Sequence, residues 1–159
     1  MKMRLLYVVQ ILFVLFLSSC TTDTVEDLPV VEADNVVHLE NEILEIVNNH
    51  RTSLDMNKLL FSTVAYKYAN IHTDYMISKG SLSHDNFSSR ASSIASEEAV
   101  EMVAENVAKD YVTAVGAFEG WYNSVNHKKT MEGDFTHTAI SVKKDQAGNF
   151  YFTQLFYRK

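Results

Sequence analysis

Histidine is the residue type in this sequence with the widest chemical use, because a neutral imidazole near pH 7 can take up a proton or bind a divalent metal. The chain has six histidines, at positions 38, 50, 72, 84, 127 and 137. No two of them are four residues apart, so none forms a local metal pair on one helix face. The sequence also lacks the HExxH, GxSxG, GxGxxG and P-loop motifs. Spacing alone leaves the chemistry unresolved.

Composition narrows the class of protein. The chain has 159 residues, of which 47% are hydrophobic and 11% aromatic, and this matches one globular domain with a real core. The net charge of −6 argues against nucleic acid as a partner, since that would require a basic face. With one cysteine, Cys20, the chain has no intrachain disulfide.

Residues 1–19 have the pattern of a bacterial lipoprotein signal peptide. Lys2 and Arg4 precede an apolar run over 5–17, which is short of the roughly 20 residues that a membrane-spanning helix needs. The run ends in LSSC at 17–20, which resembles the lipobox of bacterial lipoproteins. This resemblance implies cleavage before Cys20 and lipid attachment to it. The alternatives are an uncleaved anchor and a plain signal peptide with a chance cysteine.

Cleavage would change the composition of the mature chain. Removing 19 of 159 residues leaves 140, and losing Lys2 and Arg4 but no acid takes the charge from −6 to −8. Residues 20–35 then contain five acids, the only proline and no aromatic residue, which predicts an acidic flexible tether from the lipidated Cys20. We expect the folded domain to cover 36–159, with lipid holding it at a membrane.

Hydrophobic periodicity predicts helices first and a hairpin last, which indicates an α+β fold. We expect Asp34 or Asn35 to cap a helix that begins near Val36. His72 falls on the apolar face of the second helix and is interpreted as a core histidine with a hydrogen-bond partner. The predicted helical segments are a first one from about 36, then 62–79 ending at Gly80, short turns within 88–99, and 113–123; the predicted strands are 100–108, 136–143 and 150–157, with a hairpin loop at 145–149.

Six sequence segments, in order, resemble the CAP family, also called SCP/PR-1, in its bacterial form. The resemblance covers about 120 residues and implies a three-layer α-β-α sandwich with a small antiparallel sheet between helices. The segments are NHR at 49–51, SHDNF at 83–87, AENVA at 104–108, WYNSVNH at 121–127, FTHTAI at 135–140 and YFTQLF at 151–156.

The resemblance also implies a cleft lined by histidines and acids. Its matching positions are His84, Glu105 and His137, while Ser124 stands where the family usually has a second acid and His127 lies nearby. Two imidazoles and one carboxylate could hold a divalent metal such as zinc, or could act as a general acid–base group. The structural alternatives are that Glu105 is buried against the loop of His84, that His84 fastens this loop, and that His137 faces solvent.

Three functions follow from these expectations. The favoured one is a module that binds a small apolar or envelope-derived ligand, or a protein partner. The second is a metal-assisted hydrolase or peptidase, which the serine at 124 and the absence of an activated nucleophile weaken. The third is a passive envelope component. In each case we expect a lipid-anchored, extracytoplasmic protein, periplasmic or at the cell surface, with the outer membrane favoured, where there is one, because Asp is absent at position 21.

Overall fold

The computed structural model describes residues 32–159, so the predicted signal peptide, Cys20 and most of the predicted tether lie outside the described residues. Within this range five helices pack on a four-stranded sheet. No helix in the described part of the chain is long and apolar enough to cross a membrane. The elements are α1 Val37–Ser53, β1 Leu60–Phe61, α2 Thr63–Lys79, α3 Phe87–Glu97, β2 Met102–Lys109, α4 Ala114–Tyr122, α5 Val125–Met131, β3 His137–Lys144 and β4 Phe150–Arg158.

The sheet has the strand order β1-β3-β4-β2. The three long strands are antiparallel, as the resemblance implies, and β3 and β4 form the predicted hairpin. The sheet as a whole is mixed, because the two-residue β1 pairs with β3 in parallel. A strand of two residues has no room for an alternating hydrophobic pattern, so the sequence did not indicate it.

Helices cover both faces of the sheet, which confirms the three-layer α-β-α architecture. On one face α1 and α4 pack around Trp121, Phe152 and Phe156. On the other face α2 and α3 pack around Leu155 and Tyr157. The two cores face opposite sides because successive residues of a strand alternate between the faces of the sheet. Each helical layer therefore packs on its own set of strand side chains.

The ends of α2 match the sequence prediction, and the start of α1 does not. The Ser62 hydroxyl accepts the N–H of Ala65, and Gly80 ends α2 in the left-handed region at φ 72°. The residue before α1 is Val36, and no side chain caps this helix. The predicted cap Asn35 instead donates its amide to Glu40 and to Asn70, at 2.6 Å each. The Asn35 side chain, which the local pattern assigned to the helix cap, is therefore used in tertiary hydrogen bonds instead.

Two helices near the site were predicted incompletely. The segment at 88–99, predicted as short turns, forms the 11-residue helix α3. The seven-residue helix α5 follows α4 and was not predicted at all. Its sequence, VNHKKTM, is largely polar, so it lacks the apolar stripe that marks an amphipathic helix. The conformation of α5 therefore comes from tertiary contacts rather than from a strong local signal.

Arg51 fastens the end of α1 to the segment that leads into β3. Its fully buried guanidinium donates to the carbonyls of Met131, Gly133 and Asn57 at 2.7, 2.8 and 2.9 Å. His50 Nε2 lies 2.8 Å from Glu132 Oε1. These contacts fix α5 and the start of β3 relative to α1.

Candidate functional site

Glu105 lies at the centre of the candidate site. It sits on β2 with its side chain 1% exposed and directed to the α2 and α3 side of the sheet. Three groups surround its carboxylate: the side chains of His84, Arg90 and His72. We call these four residues the Glu105 cluster.

His84 connects the cluster to solvent. It lies in the connection between α2 and α3, and its Nδ1 is 2.9 Å from Glu105 Oε1. A carboxylate only accepts hydrogen bonds, so Nδ1 carries the proton in this pair. In the neutral ring Nε2 is then an unprotonated acceptor. Because the side chain is 54% exposed, it can serve as a ligand contact or a base.

Arg90 neutralises the carboxylate from the side of α3. Its Nε donates to Glu105 Oε2 at 2.8 Å, and its Nη2 lies 2.6 Å from the same oxygen. Its Nη1 also donates to the carbonyl of Asp85 at 3.1 Å. Arg90 therefore holds Glu105 and the loop of His84 at once. The family resemblance did not indicate this residue, and a single arginine in a polar helix gives no sequence signal of such a role.

His72 is the second member of the cluster that the sequence did not assign to the site. It is buried, as predicted for a core histidine, and its Nε2 lies 2.7 Å from the carbonyl oxygen of Ser83. The same nitrogen is 3.6 Å from Glu105 Oε1. Burial lowers the pKa of His72, and the nearby Glu105 opposes this effect in part. His72 thus ties the residue before His84 to α2.

His127 lies beside the cluster, on α5. The side-chain amide of Asn106 donates to its carbonyl at 3.0 Å and joins α5 to β2. Burial lowers the pKa of His127, and the proximity of His84 lowers it further. Ser124, at the position of the family's usual second acid, directly precedes α5 and makes no side-chain capping bond.

His137 lies apart from the cluster. It begins β3 and pairs with Tyr157 of β4, which in turn pairs with Val103 of β2, so a whole strand separates it from β2. Its ring stacks on Tyr157 with 4.8 Å between ring centroids, and its Nδ1 is 2.8 Å from the Thr136 hydroxyl. Burial lowers its pKa, with Lys159 contributing in the same direction. The structure brings His84 and Glu105 together and places His137 elsewhere on the same face.

The donor set as folded does not fit a divalent metal held by His84, Glu105 and His137. Both oxygens of Glu105 are already engaged, and the guanidinium of Arg90 places a fixed positive charge where a metal cation would have to bind. Within residues 32–159 no group of three His, Cys, Asp or Glu side chains is close enough to hold a metal ion. A metal role for these residues stays a prediction that direct titration tests.

An open cleft of about 240 Å³ adjoins the cluster. Phe87 of α3 and Val103 and Ala104 of β2 supply an apolar lining, and His84 and Thr130 supply the polar groups. The Thr130 hydroxyl donates to the carbonyl of Asn126 at 3.1 Å. Among the described residues, the site therefore combines an apolar surface with one imidazole nitrogen, His84 Nε2, that makes no hydrogen bond.

This fold agrees with comparisons to known proteins. The family model described as "CAP: Cysteine-rich secretory protein family" matches residues 44–156, so the chain belongs to this family. The uncharacterized membrane protein YlbC of Bacillus subtilis (strain 168) is 28% identical over 124 residues, which are 76% of this chain and 34% of that protein. The chain thus spans about a third of the length of this relative.

Solved bacterial structures share the fold. An outer surface protein of Borrelia burgdorferi superimposes with a TM-score of 0.71 at 16% identity, covering 80% of this chain and 98% of that one. An extracellular protein with an SCP domain from Bacillus anthracis gives a TM-score of 0.69 at 23% identity, covering 77% and 41%. These similarities confirm the CAP fold, and the relatives' names place them at surfaces, outside cells or in membranes.

The lowered pKa values predict that acid destabilises the domain before its carboxylates titrate. The unfolded chain binds protons near the usual histidine pKa of about 6.5, whereas folded His72 resists them, so stability should fall as the pH drops below about 6.5 toward the lowered pKa. His72→Gln keeps a donor for Ser83 without titrating, and should reduce this loss in urea unfolding between about pH 5 and pH 7. His38→Gln, at an exposed histidine, is the matched control. An unchanged pH dependence in His72→Gln would contradict the assignment.

Proposed function

We propose that this chain is a membrane-tethered, extracytoplasmic CAP domain lipoprotein whose cleft at the Glu105 cluster binds a ligand or a partner. The anchor rests on the lipobox-like LSSC at 17–20, and the location agrees with the surface, extracellular and membrane relatives. On this proposal the acidic tether holds the domain near a lipid surface, and the cleft captures a small apolar or envelope-derived ligand or a protein partner.

Binding is favoured over catalysis because the Glu105 carboxylate is buried and both of its oxygens already accept hydrogen bonds. A catalytic carboxylate must exchange protons with substrate or water, but this one is buried and held by two side chains. Among the residues that line the cleft, the only hydroxyl is that of Thr130, which already donates to a backbone carbonyl. What the cleft presents outward is an apolar surface and His84 Nε2, which suit recognition.

A metal-assisted hydrolase or peptidase of the cell envelope is the alternative. The hydrogen bond between His84 and Glu105 favours it, because a carboxylate that orients an imidazole and raises its basicity is a common part of a general base. The position of Arg90 disfavours a metal at this carboxylate.

Zinc titration and a hydrolysis screen separate the two functions. We expect calorimetric titration with zinc chloride to give the same weak binding for the parent protein, His84→Ala, His137→Ala and the control His38→Ala. We also expect no product from a broad peptide and ester library, with or without zinc. A one-to-one zinc site that both His84→Ala and His137→Ala abolish, or turnover that His84→Ala abolishes, would establish the alternative and overturn the binding proposal.

The lipid anchor is tested at its only attachment residue. Cys20→Ser removes the sulfur that would carry the lipid, so the full-length protein should move from the membrane fraction to the soluble fraction in its bacterial host. Thr22→Ala, two residues further along, should leave the distribution unchanged. If Cys20→Ser still sediments with membranes, the anchor is not a lipid on this cysteine.

A further inference from the structure

The two edges of the central sheet differ in whether their outward-facing backbone groups have hydrogen-bond partners. At the β3 edge, β1 and the segment before α1 occupy the outward-facing backbone groups: Ser62 N–H donates to the Thr138 carbonyl at 3.0 Å, and Val36 N–H donates to the Val142 carbonyl at 2.7 Å. The carboxylate of Glu40 accepts the N–H of Val142 at 2.9 Å. This edge is therefore covered, as natural proteins commonly cover an edge that would otherwise pair with another chain.

At the opposite edge, the register of β2 decides which backbone groups face outward. Asp110 N–H donates to the Phe150 carbonyl at 2.9 Å and continues the β2–β4 ladder, so the even-numbered residues of β2 bond to β4. The odd-numbered residues then point their N–H and C=O groups away from the sheet. The Trp121 indole, which donates to the Val107 carbonyl at 3.1 Å, confirms this alternation.

Val103 and Glu105 are left with open backbone groups by this alternation. Trp121 covers the edge at Val107, but within residues 32–159 no loop, cap or side-chain hydrogen bond reaches the N–H or C=O of Val103 or Glu105. Two outward-facing residues thus present two donors and two acceptors with the spacing of a strand.

A groove runs along this open stretch of β2. The 240 Å³ cleft beside His84 and a second cleft of about 260 Å³ meet at Val103, which lines both. One wall is α3, where Phe87, Ala91 and Ala95 recur every four residues, and Thr130 of α5 stands at the other side. Over the β2 residues that line it, 102–105, the groove spans roughly 10 Å at 3.3 Å per residue, the length of a short strand segment.

We propose that this edge of β2 binds an extended peptide segment of a partner protein, which adds to the sheet as a fifth strand and places apolar side chains in the two clefts. The proposal deepens the binding function proposed above and rests on it. Strand addition obtains affinity from main-chain hydrogen bonds, and the pockets on either side give specificity for alternate side chains. The groove would thus select small or apolar residues at alternate positions of the peptide.

The structure argues for a peptide over the two other candidate occupants. A second copy of the domain would have to bring its own β2 edge to this one. Because α3 and α5 both contact β2, four helices would have to fit around the two joined edges. Of the chain's own N-terminal part, residues 33–36 are described, and they are bonded at the far edge of the sheet, where Val36 N–H donates to the Val142 carbonyl at 2.7 Å. The acids at the groove are already paired, Glu101 with Arg158 and Glu105 with Arg90, so an uncharged segment fits best.

Amide hydrogen exchange tests the proposal on the unmodified protein. The probe is an array of peptides of about seven residues in which valine alternates with threonine or serine, with copies N-methylated at alternate residues. In the free protein the amides of Val103 and Glu105 should exchange faster than those of Ala104 and Asn106. A binding peptide should slow Val103 and Glu105 selectively, and N-methylation on the face that bonds to β2 should weaken binding about tenfold or more.

A variant pair tests the same edge by mutation. Val103→Pro removes an outward donor that no ladder bond uses, and we expect it to weaken peptide binding about tenfold, while Val103→Ala keeps the donor and should retain most of the affinity. If Val103→Pro fails to fold, the N-methylated peptides and the exchange data still decide. The strand-addition proposal is wrong if peptides bind without slowing amide exchange at Val103 and Glu105. It is also wrong if exchange at these amides slows with rising protein concentration in the absence of peptide, because a second copy then covers the edge.

Further results distinguish failure of the strand-addition proposal from failure of the proposed binding function. If no peptide of the array binds, but an apolar fluorescent dye binds the parent protein and not His84→Ala, the cleft binds small molecules and strand addition is overturned alone. If peptides are hydrolysed in a manner that depends on His84, the binding function itself is overturned.

Discussion

Arg90→Met should lower the free energy of unfolding by about 3–5 kcal/mol, the cost typical of breaking a buried ion pair from one side. The Glu105 side chain is 1% exposed and that of Arg90 7% exposed, so water cannot replace the guanidinium. The loss leaves a buried carboxylate with imidazoles as its remaining neighbours. Urea unfolding monitored by circular dichroism measures the change.

Two control variants separate the loss of this buried ion pair from the effect of removing an arginine side chain elsewhere. Arg158→Met removes a guanidinium paired with Glu101 and Asp134 at the surface and should cost about 1 kcal/mol or less. The double variant Arg90→Met/Glu105→Leu removes both charges and should recover most of the stability, because a buried pair replaced by apolar groups is often neutral. A loss below about 1 kcal/mol in Arg90→Met would mean that the Glu105 cluster does not depend on this pair.

Lys143→Met should have an effect of similar size at a second buried ion pair. Lys143 is 1% exposed, and its ammonium lies 2.6 Å from Asp74, which also accepts the N–H of Ala33. Without Lys143, the carboxylate on α2 keeps one backbone amide as its partner among these contacts, so we expect a loss of about 3–5 kcal/mol in the same urea assay. The segment at 33–36 should also become easier to cleave by protease.

The neighbouring lysine supplies the matched control. Lys144→Met changes an exposed side chain that lies over the Phe150 ring, and should alter stability by about 1 kcal/mol or less. Asp74→Asn/Lys143→Met should be more stable than Lys143→Met alone, since the buried charge is gone. If both lysine variants behave alike, the pair contributes little to stability.

The start of the domain also depends on tertiary contacts. The sequence predicts a tether over 20–35 from its acids, its proline and its lack of aromatic residues, and nothing in residues 33–35 differs locally from the rest of that stretch. In the structure, Ala33 bonds to Asp74 and Asn35 to Glu40 and Asn70. These partners lie 5 to 41 residues away along the chain, so composition could not indicate them.

The fold was predictable because its main elements carry local signals. The apolar stripe of α2, the Ser62 cap, Gly80 and the glycine-containing hairpin loop each specify a boundary through a few neighbouring residues. The segments that were missed, β1 and α5, are a two-residue strand and a polar seven-residue helix, and neither can show a period. Their conformations come from the parts of the domain against which they pack.

By itself the sequence determined the α+β class and the order of the main elements, because these depend on periodicity. The resemblance of its short motifs to the CAP family implied the three-layer sandwich and assigned His84 and Glu105 to one cleft. Only the tertiary structure decided how that pair is used. Folding α3 over the end of β2 brings Arg90 onto Glu105, the register of the sheet separates His137 from them by one strand, and α2 supplies His72. These contacts join residues far apart in the chain, and no local pattern encodes such a distance.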